Sequence, residues 1–140
     1  VCAHELQIEI TESVFLHEPE ITASVLEKVR ALGIRVALDD FGTGYSSLVY
    51  IDRYPLDAIK IDRSFVSRMM SFDRSDAIVR SILSLGRTLN LAITAEGIET
   101  LAQLQRLKEM DCPFVQGYLL SPPVRAEELS TLLQSWPASC

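Results

Sequence analysis

Asp39-Asp40-Phe41-Gly42-Thr43-Gly44-Tyr45-Ser46-Ser47 closes an apolar, strand-like run, Ile34 to Asp39, and opens a glycine-bearing loop. Adjacent carboxylates at a strand end are hard oxygen donors of the kind that Mg²⁺ and Mn²⁺ take. Gly42 and Gly44 let the backbone adopt positive φ or come close to a ligand. Read alone, the same residues also spell an Asx-type turn. The pattern on either side carries the reading further.

Outward from this run, short β-rich segments recur at Glu5 to Thr11, Ala58 to Asp62, Leu91 to Ala95 and Phe114 to Gln116. They alternate with amphipathic stretches at about Pro19 to Leu32, Ser75 to Leu89, Leu101 to Met110 and Ala126 to Ser135, and a shorter one near Ser46 to Arg53. Pro19 suits a helix start, where a missing N–H costs little, and Gly33 suits a C-cap. Ser64 to Arg74 is an extra segment, whose Met69 and Met70 read as gap-filling packing. Strands alternating with helices predict an α/β fold on a parallel sheet, either open and doubly wound or an arc of a (β/α)₈ barrel.

Strand phase separates these two. One alternate set is aliphatic, as in Leu6, Ile8 and Ile10, Val36 and Leu38, Ile59 and Ile61, and Leu91 and Ile93. The other is polar or small: Glu5, Gln7, Glu9; Arg35, Ala37, Asp39; Ala58, Lys60, Asp62; Ala92, Thr94, Glu96; Phe114, Gln116. An open sheet covered on both sides is apolar on both faces, so a polar phase repeated in every strand predicts a barrel lumen. Its most polar members, Glu9, Asp39, Lys60, Glu96 and Gln116, cluster toward the C-terminal strand ends, where barrel active sites are built. The expectation is one incomplete domain over residues 1–140: a partial (β/α)₈ TIM-like barrel of about five βα units. A whole barrel needs eight strands and about 250 residues, so three strands are expected upstream of Val1.

Composition excludes several classes. With 140 residues and 48% hydrophobic content the chain can bury a real core. A formal charge of −6 argues against a nucleic-acid polymer as partner. No apolar run reaches the roughly 18 residues of a membrane span, and no signal segment opens the chain. Cys2, Cys112 and Cys140 have no paired spacing, which points to neither disulfides nor a zinc knuckle, and a reducing cytoplasm is the default. His4 and His17 lack ligand spacing.

Glu9-Ile10-Thr11-Glu12, Asp39-Asp40-Phe41-Gly42-Thr43-Gly44, Ile59-Lys60-Ile61-Asp62, Ala95-Glu96-Gly97-Ile98-Glu99-Thr100 and Gln116-Gly117-Tyr118 resemble, in order and spacing, the motifs of the EAL-domain cyclic di-GMP phosphodiesterases. The resemblance implies a modified (β/α)₈ barrel that hydrolyses cyclic di-GMP to linear pGpG with Mg²⁺ or Mn²⁺ at a two-metal site. It implies that Glu9, Asp39, Asp40 and Glu96 hold metal, that Lys60 orients the nucleophilic water, and that Glu96 also acts as general base. Gln116, Gly42, Thr43 and Gly44 would belong to the substrate or active-site shell. Glu12 would steady the loop after Asp40, and Glu99 would support the glutamate motif. A homodimer through that loop, a sensory or GGDEF-type domain elsewhere in the parent chain, and a cytoplasmic setting, including that of a membrane-anchored parent, are further implications.

Electrostatics agrees: four carboxylates at one barrel mouth repel unless cations join them. Lys60 also reads as a structural salt bridge, and Ser46 or Ser47 as a cap of the next helix. Trp136 reads as packing. Several family features are absent or changed. The Glu-Ala-Leu motif and an asparagine ligand lie upstream of this chain, so the 140 residues alone are expected to be weak or inactive. Pro113 stands where an aspartate is usual, and Pro122 where a basic residue is. The competing expectations are a non-catalytic cyclic di-GMP receptor and a regulatory or dimerisation module.

Overall fold

The structure, a computed structural model, describes residues 2–42 and 47–135, leaving Thr43, Gly44, Tyr45, Ser46 and Trp136 outside the described residues. Five strands run in sequence order across one parallel sheet: β1 (Gln7–Thr11), β2 (Arg35–Phe41), β3 (Ala58–Ile61), β4 (Ala92–Glu96) and β5 (Phe114–Gln116). Helices α1 (Val14–His17) and α2 (Pro19–Ala31) follow β1, and α3 (Ser47–Arg53) follows β2. Helices α4 (Arg63–Arg68) and α5 (Asp73–Leu89) follow β3, α6 (Leu101–Glu109) follows β4, and α7 (Ala126–Ser135) follows β5. Consecutive strands that pair in order, each followed by a helix, form the arc of a (β/α)₈ barrel. Among the described residues β1 and β5 are each paired on one side only.

The two strand phases separate as the alternation requires. Val36, Leu38, Ile59, Ile61, Ile93 and Ala95 are at most 2% exposed and pack under the helices. Val79, Ile82 and Leu83 of α5 close over them from the helix side. Emptying the side chain of Leu38 to alanine would cost about 2–5 kcal/mol, because a fully enclosed site cannot collapse around the cavity. At one edge Phe15 stacks against Tyr50 and Tyr54, with ring centroids 4.6 and 4.1 Å away, and joins α1 to α3.

Several boundaries differ from the sequence reading for local reasons. Ala3–Glu5 form a 3₁₀ turn in which the Glu5 carboxylate accepts from the Cys2 amide at 2.7 Å, so Glu5 and Leu6 lie outside β1. Asp62 leaves β3 to cap α4, its carboxylate accepting from Ser64 N at 3.0 Å. Most of the extra segment after β3 is helical, and α5 begins at Asp73 rather than Ser75. Gly33, at φ +85°, turns the chain from α2 toward β2. Cys2 and Cys112 are free thiols, and no helix among the described residues is long and apolar enough to cross a membrane.

Arg106 of α6 grips Asp76 of α5 with two hydrogen bonds of 2.8 and 3.1 Å, and Arg80 binds the same carboxylate at 2.9 Å. The Arg106 hydrogen bonds hold the Asp76 carboxyl below its ordinary value against a burial effect of opposite sign. A depressed carboxyl contributes stability above its unfolded value and loses it as pH falls through the folded one. Asp76→Asn is therefore expected to lower the melting temperature at neutral pH and to converge with wild type on acidification. An unchanged gap between the two thermal melts down to pH 2 would remove Asp76 from the acid response.

Candidate active site

Register places the polar phase in rows across the sheet. Glu9, Ala37, Ala58 and Ala92 lie in one row, and Lys60, Thr94 and Phe114 in the next. The alanines leave room on the inner face, and Lys60 fills it. Its side chain is only 8% exposed, and its ammonium meets Glu9 at 2.6 Å, Glu96 at 2.7 Å and Asp39 at 3.3 Å. Burial alone would lower the Lys60 pKa, but the hydrogen bonds to Glu9 and Glu96 and the charge of Asp39 reverse the effect and raise it. Lys60 is thus a permanent cation joining β1, β2 and β4 through β3.

Strict alternation would send Asp39 and Asp40 to opposite faces of β2. The register between β2 and β3 slips between the Leu38↔Ile59 and Phe41↔Ile61 pairs, leaving one extra residue on β2. Asp40 sits at this irregularity with φ +54°, a left-handed conformation that aspartate tolerates better than most residues, and its amide donates to the Asp39 carboxylate at 3.0 Å. The bulge therefore turns the second carboxylate toward the first. Oxygens of Asp39, Asp40 and Glu96 lie within 4.8 Å of one another, and Glu9 joins them through Lys60 rather than as a member of that group.

Protonation reflects this crowding. Burial, then the charges of Asp39 and Asp62, raise the Asp40 carboxyl above its ordinary value, while Lys60 and Arg63 act against the rise. Burial also raises Glu96, opposed by its hydrogen bond to Lys60. Three hard oxygen donors packed this closely form a set that a divalent cation would satisfy, and one lysine cannot neutralise them all. The donor chemistry fits Mg²⁺ or Mn²⁺.

Loops after the strands complete the surroundings. Glu12, nearly buried, accepts from the amide of Gly42 at 3.3 Å across the turn that follows Asp40. Beyond Glu96 a cleft of about 480 Å³ is lined by Arg63, Glu99, Gln116, Tyr118, Ser121 and Pro122, among others. Gln116 pairs in register with Glu96, which brings the fifth strand to the site. Thr43 and Gly44, expected in the same shell, lie outside the described residues.

Residues 1–123 match the EAL domain. The chain belongs to the EAL domain family. It is 45% identical over 124 residues to the bifunctional diguanylate cyclase/cyclic di-GMP phosphodiesterase MucR of Pseudomonas aeruginosa, covering 89% of this chain and 18% of that protein. It is 42% identical over 131 residues to the cyclic di-GMP phosphodiesterase NbdA of the same organism, covering 94% of this chain and 17% of that protein. The chain thus spans less than a fifth of these relatives. Among solved structures, the PaMucR phosphodiesterase in complex with c-di-GMP superposes with a TM-score of 0.85 at 43% identity, over 92% of this chain and 52% of that one. The manganese and cyclic di-GMP complex of Klebsiella pneumoniae BlrP1 gives 0.83 at 32% identity, over 88% and 31%.

Two residues around this site were not singled out by the sequence. Arg63 lines the cleft, beside Tyr118 of the last motif, and Gln103 holds the loop after Glu96. Gln103 is buried, and its side-chain oxygen accepts from the amides of Glu99 at 2.8 Å and Thr100 at 3.0 Å. The Thr100-Leu101-Ala102-Gln103 spacing is a capping box, a signal available in the sequence. The same loop bears on Gly117, where an added Cβ would stand 2.2 Å from the Ile98 carbonyl oxygen and 2.3 Å from its nitrogen. Backbone cannot yield as a side-chain tip does, so Gly117→Ala is expected to cost about 1–3 kcal/mol and to displace Gln116 from Glu96. A thermal melt matching wild type would refute this close approach.

Proposed function

We propose that the protein to which this chain belongs hydrolyses cyclic di-GMP to linear pGpG with two divalent ions, Mg²⁺ or Mn²⁺. The observation that carries the reading is the gathering of Asp39, Asp40 and Glu96 within 4.8 Å around the ion-paired Lys60, in a chain homologous to cyclic di-GMP phosphodiesterases. Asp39, Asp40 and Glu96 would hold the ions, with Glu9 as a further ligand once it exchanges its contact with Lys60. Bound divalent ions supply Lewis acidity toward a phosphodiester and a nucleophile at neutral pH. Lys60 keeps its proton on Nζ and donates toward an attacking water, while Glu96 accepts the proton that water gives up. Gln116, Gly42, Thr43 and Gly44 approach the substrate. Glu12 steadies the turn through Gly42, and Glu99 supports the Glu96 loop.

The reading extends to the whole protein. The described sheet is open at β1 and β5, and the chain covers 52% of the superposed PaMucR chain, which supports weak or absent turnover by these 140 residues alone. Pairing of two protomers through the loop after Asp40, a regulatory sensory or GGDEF-type domain, and a cytoplasmic setting belong to the same proposal.

The test is to incubate this chain and a chain extended upstream with cyclic di-GMP and Mn²⁺ and to follow pGpG by chromatography. Product is expected from the extended chain, falling on the order of 100-fold or more in Asp39→Asn and Glu9→Gln. An extended chain that binds cyclic di-GMP but never cleaves it would make the protein a receptor. A separate expectation concerns Lys60→Ala, which should depress turnover far more than Mn²⁺ affinity measured by calorimetry. Equal loss of both would reassign Lys60 to structure alone.

A further inference from the structure

Arg63 is the first residue of α4, directly after the Asp62 cap, and its backbone is pinned from two sides. Asp62 accepts from Ser64 N through its carboxylate at 3.0 Å and from Phe65 N through its carbonyl at 3.1 Å. Across from it lies Gly97, at φ +70°, where a Cβ would stand 2.5 Å from the Arg63 Cβ and 3.4 Å from its Cα. Only glycine suits that left-handed conformation and that approach together. Gly97 therefore lies against the root of Arg63, and Arg63, Glu96 and Gly97 line the same cleft.

The guanidinium acts on Asp40 through charge alone. Arg30, Arg80, Arg106 and Lys60 are all ion-paired, whereas Arg63 is exposed and has no hydrogen-bond or ion-pair partner among the described residues. It is also the one cation among the residues lining the cleft, whose other charged members are Glu96 and Glu99. An anionic ligand entering there meets two carboxylates and needs a counter-charge on the same wall. A guanidinium is more weakly hydrated than an ammonium and binds phosphate oxygens through a rigid fork.

We infer that Arg63 is a substrate-binding residue, which holds a phosphate group of the bound nucleotide in the cleft beside Glu96. The inference rests on the cyclic di-GMP reading of the site and adds to it a cation at the edge of the carboxylate and lysine cluster, whose charge also reaches Asp40. Holding a phosphate beside the carboxylates, Arg63 offsets their repulsion of the ligand and acts on affinity more than on the chemical step.

The experiment uses the chain extended upstream, as wild type, Arg63→Ala and Arg63→Lys. It measures cyclic di-GMP binding by calorimetry and, with Mn²⁺, KM and kcat. Arg63→Ala is expected to weaken binding and raise KM at least 10-fold, with kcat within about 3-fold, no loss of Mn²⁺ affinity and an unchanged melting temperature. Arg63→Lys, which keeps the charge but not the fork, should recover only part of the binding. Wild-type affinity in Arg63→Ala overturns the inference. A wild type that binds but does not cleave overturns the hydrolase reading while the calorimetric comparison still decides Arg63. A wild type that neither binds nor cleaves overturns both.

Discussion

A lysine ammonium with an 8% exposed side chain is untenable without partners, and the folded barrel arc supplies three. Desolvating a charge costs several kcal/mol unless geometry and hydrogen bonding repay it, and here carboxylates from β1, β2 and β4 converge on one Nζ. The constraint is mutual. Glu9, Asp39 and Glu96 would repel one another at this spacing without the cation, and Lys60 could not be buried without them. Strand order and register must both be correct for that exchange, so the ion-pair cluster checks the sheet that carries it.

The second constraint is backbone geometry at the end of β2. Adjacent residues of a regular strand cannot share a face, yet metal chemistry needs Asp39 and Asp40 together. The slip in pairing with β3 and the positive φ of Asp40 resolve the conflict, and Glu12 anchors the next turn through the Gly42 amide. A left-handed aspartate of this kind persists where its surroundings overdetermine it. Closing the site on its other side depends on close approaches of backbone, Gly97 against Arg63 and Gly117 against Ile98, which bring α4, β4 and β5 around one cleft.

Stability and site are joined by the connections between these loops. Gln103 fixes the backbone of Glu99 and Thr100 from inside α6, and α6 is in turn held to α5 through Arg106 and Asp76. The helix layer thus does more than cover Ile59, Ile61 and Ile93. It also fixes the loop that follows Glu96, through the contacts of Gln103 with Glu99 and Thr100.

The sequence by itself determined the class of fold and the family. Period-two alternation marked five strands because one face had to be apolar against helices, and the ordered acidic motifs marked the strand ends that carry chemistry. It could not reveal that Lys60 is ion-paired to three strands' carboxylates at once, since partners up to 51 residues apart meet only through register. It also could not show how Asp40 turns back to the side of Asp39, because a bulge is a property of two paired strands rather than of one. Arg63 was passed over for the same reason: as a residue after a strand it is an ordinary surface arginine, and only the packing of Gly97 against it brings it to the cleft. Local physics wrote the elements, and register and close backbone contact decided which side chains share a site.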